Sequence, residues 1–317
     1  MKKIICIIHG GKKLYKHSLF FINSCSKELG DAFEIHYTTE LVGAKKITQD
    51  NVENTSHIIG IGGDGILNEI INGLPFDGLV PLPVVGIVPN GTGNDFYRSA
   101  GYTDCSHYLE AIKNDLFDWV DVGSVTADGH KRYFINISDI GFGGSAVLEL
   151  SHFKGFLWGK FAYGLSILYT FLSYKKPIVT IKSGDFNYHG PLLMAAFCNG
   201  SVFGNGLHIH PEAKINDGQL KLTLLGKVSL WDYIKNVVKV KNGKNIIHPE
   251  AHYLSIENEA ELISLNGVIF AETDGEGLSG QRFQIKLIPN SLRIIKINYF
   301  IFMPLIIKQV GNYLLIK

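Results

Sequence analysis

The sequence predicts an α/β region followed by an antiparallel all-β region. Its 317 residues exceed the usual size of one domain and suggest about two. Before Asp121, short apolar runs alternate with polar, helix-periodic runs, as in βαβ units around a parallel sheet. After Asp121 the pattern changes to short strands separated by turn dipeptides. We therefore place one domain at 1–121, completed by a returning segment at 290–317, and a second domain at 122–289.

The first region holds four predicted strands and five predicted helices. The strands are 3–8, 33–38, 57–61 and 84–88, and the helices are 15–29, 45–53, 66–72, 95–99 and 105–114. The first apolar run follows two lysines, as in a signal peptide. It is too short for one, Lys12 and Lys13 follow at once, and no small-residue cleavage site appears. A first β-strand is the better interpretation.

The second region is marked by turn dipeptides that typically join antiparallel strands. These are Asp128-Gly129, Gly184-Asp185, Asp217-Gly218 and Asp274-Gly275. One helix, at 159–174, is predicted to interrupt the strands. The last strand, 292–297, is predicted to return to the first domain.

Composition excludes some classes of function. With 30 basic and 29 acidic residues, the chain lacks the strongly basic footprint of a nucleic-acid-binding protein. The four cysteines show no CxxC spacing, which predicts free thiols in a reducing compartment. No apolar run reaches the roughly 20 residues that span a bilayer. We therefore expect a cytoplasmic protein without nucleic-acid partners, and the pattern leaves open whether it forms a homodimer.

A glycine-rich segment follows the third predicted strand and opens a helix. Its residues are Gly62, Gly63, Asp64 and Gly65, followed by Asn68 and Glu69. Glycines between a strand and a helix let backbone N–H groups approach a polyphosphate, and the helix N-terminus favours negative charge. Such turns also occur as plain structure, so the motif alone decides little.

A second segment after the fourth predicted strand repeats this design. It consists of Gly91, Thr92, Gly93, Asn94 and Asp95. Asn94 or Asp95 suits a helix cap, but capping does not explain glycines on both sides of Thr92. Two glycine loops at neighbouring strand ends of an open α/β sheet form a crevice of the kind in which ligands bind.

These segments resemble a known family. Gly62-Gly63-Asp64-Gly65 with Asn68-Glu69, and Gly91-Thr92-Gly93-Asn94-Asp95-Phe96, are similar to the diacylglycerol kinase catalytic domain, shared by soluble bacterial lipid kinases and by sphingosine and ceramide kinases. The resemblance implies a phosphofructokinase-like nucleotide-binding domain joined to a β-sandwich. It also implies an active site in the cleft between them, and ATP and Mg²⁺ as cofactors.

The resemblance also assigns roles to single residues. Thr39 resembles the family's nucleotide-contacting threonine, and Asp274 its catalytic base, with Glu276 supporting that base or binding metal. A magnesium ion is implied at Asp217, with the main-chain carbonyls of Lys214 and Gln219, close to Asp274. Carboxylate and carbonyl oxygens suit such a hard cation.

Ordinary structure remains the alternative for both acidic turns. Asp274-Gly275 and Asp217-Gly218 are strong hairpin signals in their own right. The stretch 272–280 is longer than a tight hairpin requires, which favours function at Asp274. Three carboxylates at alternate positions, Glu272, Asp274 and Glu276, are expected to repel one another and raise a pKa.

Three functions remain open from the sequence. The first is an ATP-dependent lipid kinase that phosphorylates diacylglycerol or a related lipid such as a sphingoid base. The second is a nucleotide- or lipid-binding homologue with weak catalysis, suggested by His9 and by Ile66, where the family has a hydroxyl residue. The third is an NAD kinase, but this function would not explain the second glycine motif at 91–96.

A lipid substrate requires contact with a membrane. We expect transient docking at the membrane surface, because no segment spans it. An aromatic cluster beside two lysines at 153–160, which includes Phe153, Phe156, Leu157 and Trp158, has the composition of a membrane interface. Burial in the core is the alternative.

Overall fold

A computed structural model of the chain describes residues 2–102, 105–153, 169–171, 173–204, 206–256 and 259–296. The first region consists of strands β1 (Lys3–Ile8), β2 (Phe33–Tyr37), β3 (Thr55–Gly62) and β4 (Val84–Pro89) and helices α1 (Lys16–Leu29), α2 (Ala44–Asn51), α3 (Asp64–Gly73), α4 (Asp95–Ser99) and α5 (Tyr108–Lys113). Its strands pair in parallel in the order β2-β1-β3-β4. The predicted α/β architecture is confirmed.

Burial explains why these segments form a parallel sheet. Every residue of β3 except Ser56 is buried, as expected for a strand covered by helices on both faces. In α1 the buried residues Ser18, Phe21, Ile22 and Cys25 recur at helical spacing and form one face against the sheet. Parallel strands all end at the same edge, so the loops after β1, β3 and β4 gather there.

The second region is mostly antiparallel. Its elements are β5 (Phe117–Ala127), β6 (His130–Phe134), β7 (Ile137–Gly141), α6 (Phe142–Phe153), β8 (Ile178–Ser183), β9 (Phe186–Pro191), β10 (Met194–Cys198), β11 (Val202–Phe203), β12 (Leu207–His208), β13 (Leu220–Leu225), α7 (Leu230–Lys241), β14 (Ala251–Ile256), β15 (Glu259–Ser264), β16 (Ile269–Thr273), β17 (Glu276–Gly280) and β18 (Arg282–Ile295). One sheet has the order β14-β13-β10-β7-β16-β17. A core that includes Phe134, Phe197 and Phe283 fills this region.

The long strand β18 joins the two regions. It pairs antiparallel with β15 along its first half and with β5 along nearly its whole length, and near its end Ile294 pairs in parallel with Val85 of β4. One sheet of ten described strands therefore runs continuously from the α/β region into the β region.

Three of the four predicted turn dipeptides form two-residue hairpins, and the fourth does not. Two-residue hairpins occur at Asp128-Gly129, Gly184-Asp185 and Asp274-Gly275, whereas Asp217-Gly218 is a turn that leads into β13. The predicted helix at 159–174 lies largely outside the described residues. No helix in the described ranges is long and apolar enough to cross a bilayer.

Two helices of the β region were not predicted from the sequence. Helix α7 begins with a capping box in which Ser229 and Asp232 bond each other's backbone N–H groups. This Ser-x-x-Asp pattern before an amphipathic run was a usable signal. Helix α6 begins at Phe142-Gly143-Gly144, where the glycine pair gave no such signal.

Candidate active site

The two glycine loops touch each other. A Cβ added at Gly91 would lie 2.9 Å from the Gly63 nitrogen and closer still to the Gly63 Cα atom. The side chain of Asn94 closes the second loop, because it accepts from Gly91 N at 3.2 Å and donates to Gly91 O at 2.9 Å. Asn94 itself has a positive φ of 53°. The sequence therefore builds one continuous glycine surface from two separate turns.

Asp64 holds the two helices that start at these loops together. Its Oδ1 accepts from Phe96 N in α4 at 3.1 Å. Its Oδ2 lies beside Gly93, where a Cβ would approach to 3.0 Å. The first residue of α3 thus caps the neighbouring helix, while α3 itself has no side-chain cap at Gly63. Its N-terminal N–H groups are left for another acceptor.

Asn90 was not singled out from the sequence, and it ties the first turn to the second loop. It is buried, and its Oδ1 accepts from Tyr15 N at 2.8 Å and Ser18 Oγ at 3.1 Å, while its Nδ2 donates to Lys13 O at 3.1 Å. Its position between the buried strand β4 and Gly91 could have predicted a structural role for this polar residue.

Asn68 joins the glycine loops to the acidic hairpin. It is fully buried in α3, and its Nδ2 lies 3.3 Å from Thr273 O and 3.5 Å from Asp274 Oδ2. Its Oδ1 accepts from Arg132 Nη2 at 3.0 Å. Gly65, one turn earlier, faces Glu276, whose Oε1 would lie 3.9 Å from a Cβ at Gly65. Residues 62–68 and 274–276 therefore belong to one site.

The Asp274 carboxylate is held by three consecutive backbone N–H groups. Its Oδ2 accepts from Ile135 N at 2.9 Å, and its Oδ1 accepts from Asn136 N at 3.1 Å and Ile137 N at 3.0 Å. With the longer Asn68 contact, four donors surround its two oxygens. This clamp fixes the carboxylate at the start of β7.

The interpretation of 272–280 as too long for a tight hairpin was wrong. Thr273 pairs directly with Glu276, so the loop is only Asp274-Gly275, both with positive φ, 50° and 90°. This is the type I′ geometry that Asp-Gly favours. Asp274 is therefore both a turn residue and a clamped carboxylate.

Burial dominates the acidity of Asp274. It raises the pKa of the Asp274 carboxyl to about 6, the three backbone donors pull it down, and the nearby Asp64 charge raises it. The expected pKa increase is present, although desolvation causes more of it than repulsion does.

Other predicted residues are engaged locally. Glu69 Oε2 accepts from Lys45 N at 3.3 Å at the start of α2. The Thr39 hydroxyl accepts from Val42 N at 3.0 Å within its own turn. The Thr38 hydroxyl, to which the sequence assigned no role, accepts from Gly10 N at 3.2 Å and so contacts the first turn. Thr92, between Gly91 and Gly93, lies on the loop that touches Gly63.

The predicted metal residues lie on an exposed turn. Asp217 Oδ1 accepts from Gln219 N at 3.0 Å. Between these two residues, Gly218 N donates to Oδ2 of the buried Asp121 at 2.8 Å. No group of three His, Cys, Asp or Glu ligands occurs within the described residues. The donor atoms named from the sequence, the Asp217 carboxylate and the carbonyls of Lys214 and Gln219, are all oxygens, which is the ligand type that Mg²⁺ takes.

This turn is connected to Asp274 without touching it. The carbonyl oxygen of Asp121 accepts from Asn199 Nδ2 at 2.9 Å, and the same amide donates to Ile135 O at 2.7 Å. Ile135 N in turn donates to Asp274. A chain of hydrogen bonds, of which the two made by Asn199 are buried, links the two acidic turns.

A buried pair of carboxylates lies beneath the hairpin. Asp139 and Glu272 face each other on β7 and β16, and both are fully buried. Asp139 Oδ2 accepts from Gly143 N at 2.7 Å, and Glu272 Oε2 accepts from Gly275 N at 2.5 Å. Their other oxygens, Oδ1 and Oε1, have no hydrogen-bond partner among the described residues. Burial raises the pKa of Asp139 to about 7 and that of Glu272 well above its ordinary range.

We expect Asp139 and Glu272 to hold one proton between them at neutral pH, because burial raises the pKa of both carboxyls and the Asp139 charge raises that of Glu272 further. Asp139→Asn or Glu272→Gln alone keeps a donor facing an acceptor, so each variant should unfold close to the wild-type temperature. In the double variant two NH₂ groups face each other. Each buried donor left without an acceptor lowers the free energy of unfolding by about 1–3 kcal/mol. We expect its melting temperature to fall by about 5 °C or more.

The check is thermal unfolding of all four proteins at neutral pH. Additive effects of the two substitutions would rule out the shared proton, because independent groups do not couple. Single variants that are both more stable than wild type would instead indicate two ionised carboxylates.

The packing of Ile66 explains why an apolar residue stands where the family has a hydroxyl residue. It is buried, and its side chain covers Gly60 and Gly62, where added Cβ atoms would approach it to 2.8 and 2.7 Å. The residue therefore fills core space behind the loop.

Two family models match the chain. The one described as "Diacylglycerol kinase catalytic domain" matches residues 3–125, and the one described as "YegS C-terminal NAD kinase beta sandwich-like domain" matches residues 141–296. Together they cover both regions of the fold.

Curated relatives match over most of their length. A protein of Pectobacterium atrosepticum described as "Probable lipid kinase YegS-like" is 29% identical over 270 residues, which are 83% of this chain and 86% of that protein. A protein of Yersinia enterocolitica with the same description is 29% identical over 270 residues, covering 84% and 88%.

Solved structures share the fold. A diacylglycerol kinase from Bacillus anthracis superposes with a TM-score of 0.64 at 20% identity, covering 93% of this chain and 96% of that one. An NAD kinase from Archaeoglobus fulgidus in complex with ATP gives a TM-score of 0.51 at 12% identity, covering 93% and 94%. The first model contains both glycine loops and the second contains the acidic hairpin, so the chain joins a domain of the diacylglycerol kinase catalytic-domain family to a domain of the YegS C-terminal family.

Proposed function

We propose that this chain is an ATP-dependent lipid kinase that transfers the γ-phosphoryl group to the hydroxyl of a membrane lipid, with diacylglycerol as the first candidate and phosphatidic acid as its product. It would work in the cytoplasm and contact the membrane surface transiently. The enzyme class is that of its family, a phosphotransferase with an alcohol acceptor. The descriptions of the relatives support a lipid acceptor.

One observation carries the proposal. The glycine surface of residues 62–65 and 91–93 and the clamped Asp274 meet at α3, through Asn68 and through Gly65 opposite Glu276. Phosphoryl transfer needs mainly positioning and charge neutralisation, and this arrangement brings a phosphate cradle to a carboxylate.

The glycine surface suits the phosphates of ATP. The Gly91 N–H is already bonded to Asn94, but Gly63 and Gly93 carry no side chain that would shield their backbone N–H groups, and the uncapped N-terminus of α3 favours a negatively charged ligand. Thr92 offers a hydroxyl at the centre of the second loop. Thr38 and Thr39 line the turn beside β1, where a further part of the nucleotide would lie.

Asp274 suits the role of general base toward the lipid hydroxyl. The weakest of its four contacts is the 3.5 Å approach of Asn68 to Oδ2, so a substrate hydroxyl would donate there. A pKa of about 6 leaves the carboxylate ionised at neutral pH while keeping it more basic than an exposed aspartate. Glu276, opposite Gly65, would orient the acceptor or a phosphate-bound cation.

Magnesium fits two places in this scheme. The turn of Asp217, with the carbonyls of Lys214 and Gln219, would hold a structural ion that stiffens the hydrogen-bonded chain through Asp121 and Asn199. When bound to the nucleotide, Mg²⁺ neutralises phosphate charge.

A lipid-panel assay tests the substrate. Labelled ATP is incubated with vesicles that contain diacylglycerol, a sphingoid base or phosphatidylglycerol, and with NAD as a separate acceptor. Labelled phosphatidic acid is the expected product. ATP binding without any labelled lipid would favour a binding homologue, and labelled NADP would favour an NAD kinase.

The proposed base predicts an acid limb in the pH profile. Because folding raises the pKa of Asp274 to about 6, the carboxyl takes up its proton as the pH falls through 6, and kcat/KM should decline there. Asp64→Asn removes a negative neighbour and should move the limb to lower pH.

ATP binding measured over the same range is the control, because phosphate groups also titrate near this pH. A limb that stays in place in the Asp64→Asn protein would argue that another group controls it.

A further inference from the structure

Helix α7 presents apolar and basic side chains to the solvent on one face. Trp231 and Val238 are 71% and 63% exposed, and Lys235 lies between them. The spacing i, i+4, i+7 places these three residues on the same side of the helix. The opposite side is anchored, because Val240 and Asn236 are buried. A large exposed aromatic residue next to lysine is typical of helices that lie in a membrane interface.

The surroundings of α7 are positively charged. Residues 227–250 contain five lysines and two acidic residues, in a chain that is nearly neutral overall. The lysines are Lys227, Lys235, Lys239, Lys241 and Lys244, all exposed. None of them forms an ion pair with another described residue.

Both acidic residues of this segment are already engaged. Asp232 belongs to the capping box with Ser229 and lies 3.6 Å from His248. Glu250 accepts from Lys227 N at 3.1 Å. Among the described residues, the five ammonium groups therefore have no carboxylate partner and can face an anionic surface.

The position of α7 relates it to the candidate active site. The helix packs against the short hairpin of β11 and β12. On its other side, Val202 N of that hairpin donates to Ser99 Oγ in α4 at 3.0 Å. Helix α4 starts at the second glycine loop. A bilayer in contact with α7 would thus lie one hairpin away from the proposed phosphate cradle.

We infer that the face of α7 formed by Trp231, Lys235, Val238 and Lys239 docks on an anionic lipid bilayer. Trp231 and Val238 enter the interface between headgroups and acyl chains, and the lysines pair with lipid phosphates. This surface differs from the cluster at 153–158 suggested by the sequence. The inference gives the proposed lipid kinase its route to a membrane substrate and in that sense rests on it.

Tryptophan fluorescence tests the contact directly. The chain has three tryptophans, and Trp119→Phe with Trp158→Phe leaves Trp231 as the single reporter. Phosphatidylcholine vesicles that contain phosphatidylglycerol should shift its emission to shorter wavelength, and brominated lipids should quench it. A companion protein with Trp119→Phe and Trp231→Phe reports on Trp158. A response from Trp158 and none from Trp231 would overturn the inference.

Charge reversal provides the second test. Lys235→Glu with Lys239→Glu should weaken partitioning onto the same vesicles at least about tenfold. The matched control, Lys27→Glu with Lys182→Glu, makes an equal charge change at two other exposed lysines and should weaken it much less. An equal loss in both proteins would overturn the inference, because it would show attraction without a defined surface.

Two further measurements separate the alternatives. Vesicle binding is measured without ATP, so its result does not depend on whether the protein is a kinase. The α7 variant should phosphorylate a dispersed short-chain diacylglycerol as the wild type does and lose activity only on vesicles. Sedimentation should show the same oligomeric state in all proteins. A changed state in the α7 variant would identify this face as a contact between subunits and overturn the inference.

Discussion

Asp274→Asn is expected to lower kcat by about 10²–10⁴-fold, which is the usual contribution of a general base. The substitution keeps the turn residue type, since asparagine also tolerates the positive φ of 50°. It removes the proton acceptor that we place at the lipid hydroxyl. The measurement is steady-state phosphorylation of diacylglycerol vesicles at pH 7 to 8, where the wild-type carboxyl is ionised.

Asp128→Asn is a closely matched control. Asp128 also opens an Asp-Gly hairpin, has a positive φ of 45°, and accepts two backbone N–H bonds, from Gln281 and Arg282, both at 2.9 Å. Its carboxylate thus bonds the start of β18 rather than a group near the glycine loops, so the variant should remain active. If Asp274→Asn also keeps most of its activity while ATP binding is normal, Asp274 has the structural role of Asp128.

Gly91→Ala is expected to disrupt the cradle made by the two glycine loops. Its φ lies outside the left-handed region, so the effect comes from the new methyl group, which would overlap the Gly63 backbone and Asn94 Oδ1. Overpacking of this kind costs about 1–3 kcal/mol. Because the overpacking destabilises the loop arrangement that binds the nucleotide, ATP affinity should drop about tenfold to a hundredfold. Calorimetric titration with ATP measures it.

Gly277→Ala is the control for this substitution. A Cβ at Gly277 would meet no atom within 4 Å, and its φ is also ordinary. The protein should bind ATP like the wild type. Wild-type affinity in Gly91→Ala would mean that the contact between the loops takes no part in holding the nucleotide.

The fold was accessible from the sequence because its signals are local. The buried strands β1, β3 and β4 each contain a short run of apolar residues, interrupted only by glycine in β3 and β4, and a glycine follows each strand within a few residues. Asp128-Gly129 and Asp274-Gly275 marked hairpins because only a few residue types accept two positive φ values in succession. Helix α6 escaped detection since its first turn contains two glycines, of which Gly144 packs closely against Ala271.

The sequence also indicated most candidate site residues, through motifs whose chemistry is local. Glycines beside Thr92, and Asp64 at a helix start, indicate a phosphate-binding turn by residue type and spacing alone. Asp274 was different. Its Asp-Gly signal describes a hairpin equally well, as Asp128 demonstrates with the same geometry.

Only the tertiary structure distinguished these two aspartates. It placed Asn68 of α3 beside Asp274 across more than 200 positions of sequence and aimed three consecutive N–H groups of 135–137 at its carboxylate. It also buried Asp139 against Glu272 by strand pairing. Short motifs fix backbone conformation, and so the sequence determined the turns and the parallel sheet. Long-range pairing fixes which side chains share a desolvated space, and that alone decided which carboxylate faces the glycine loops and how acidic it is.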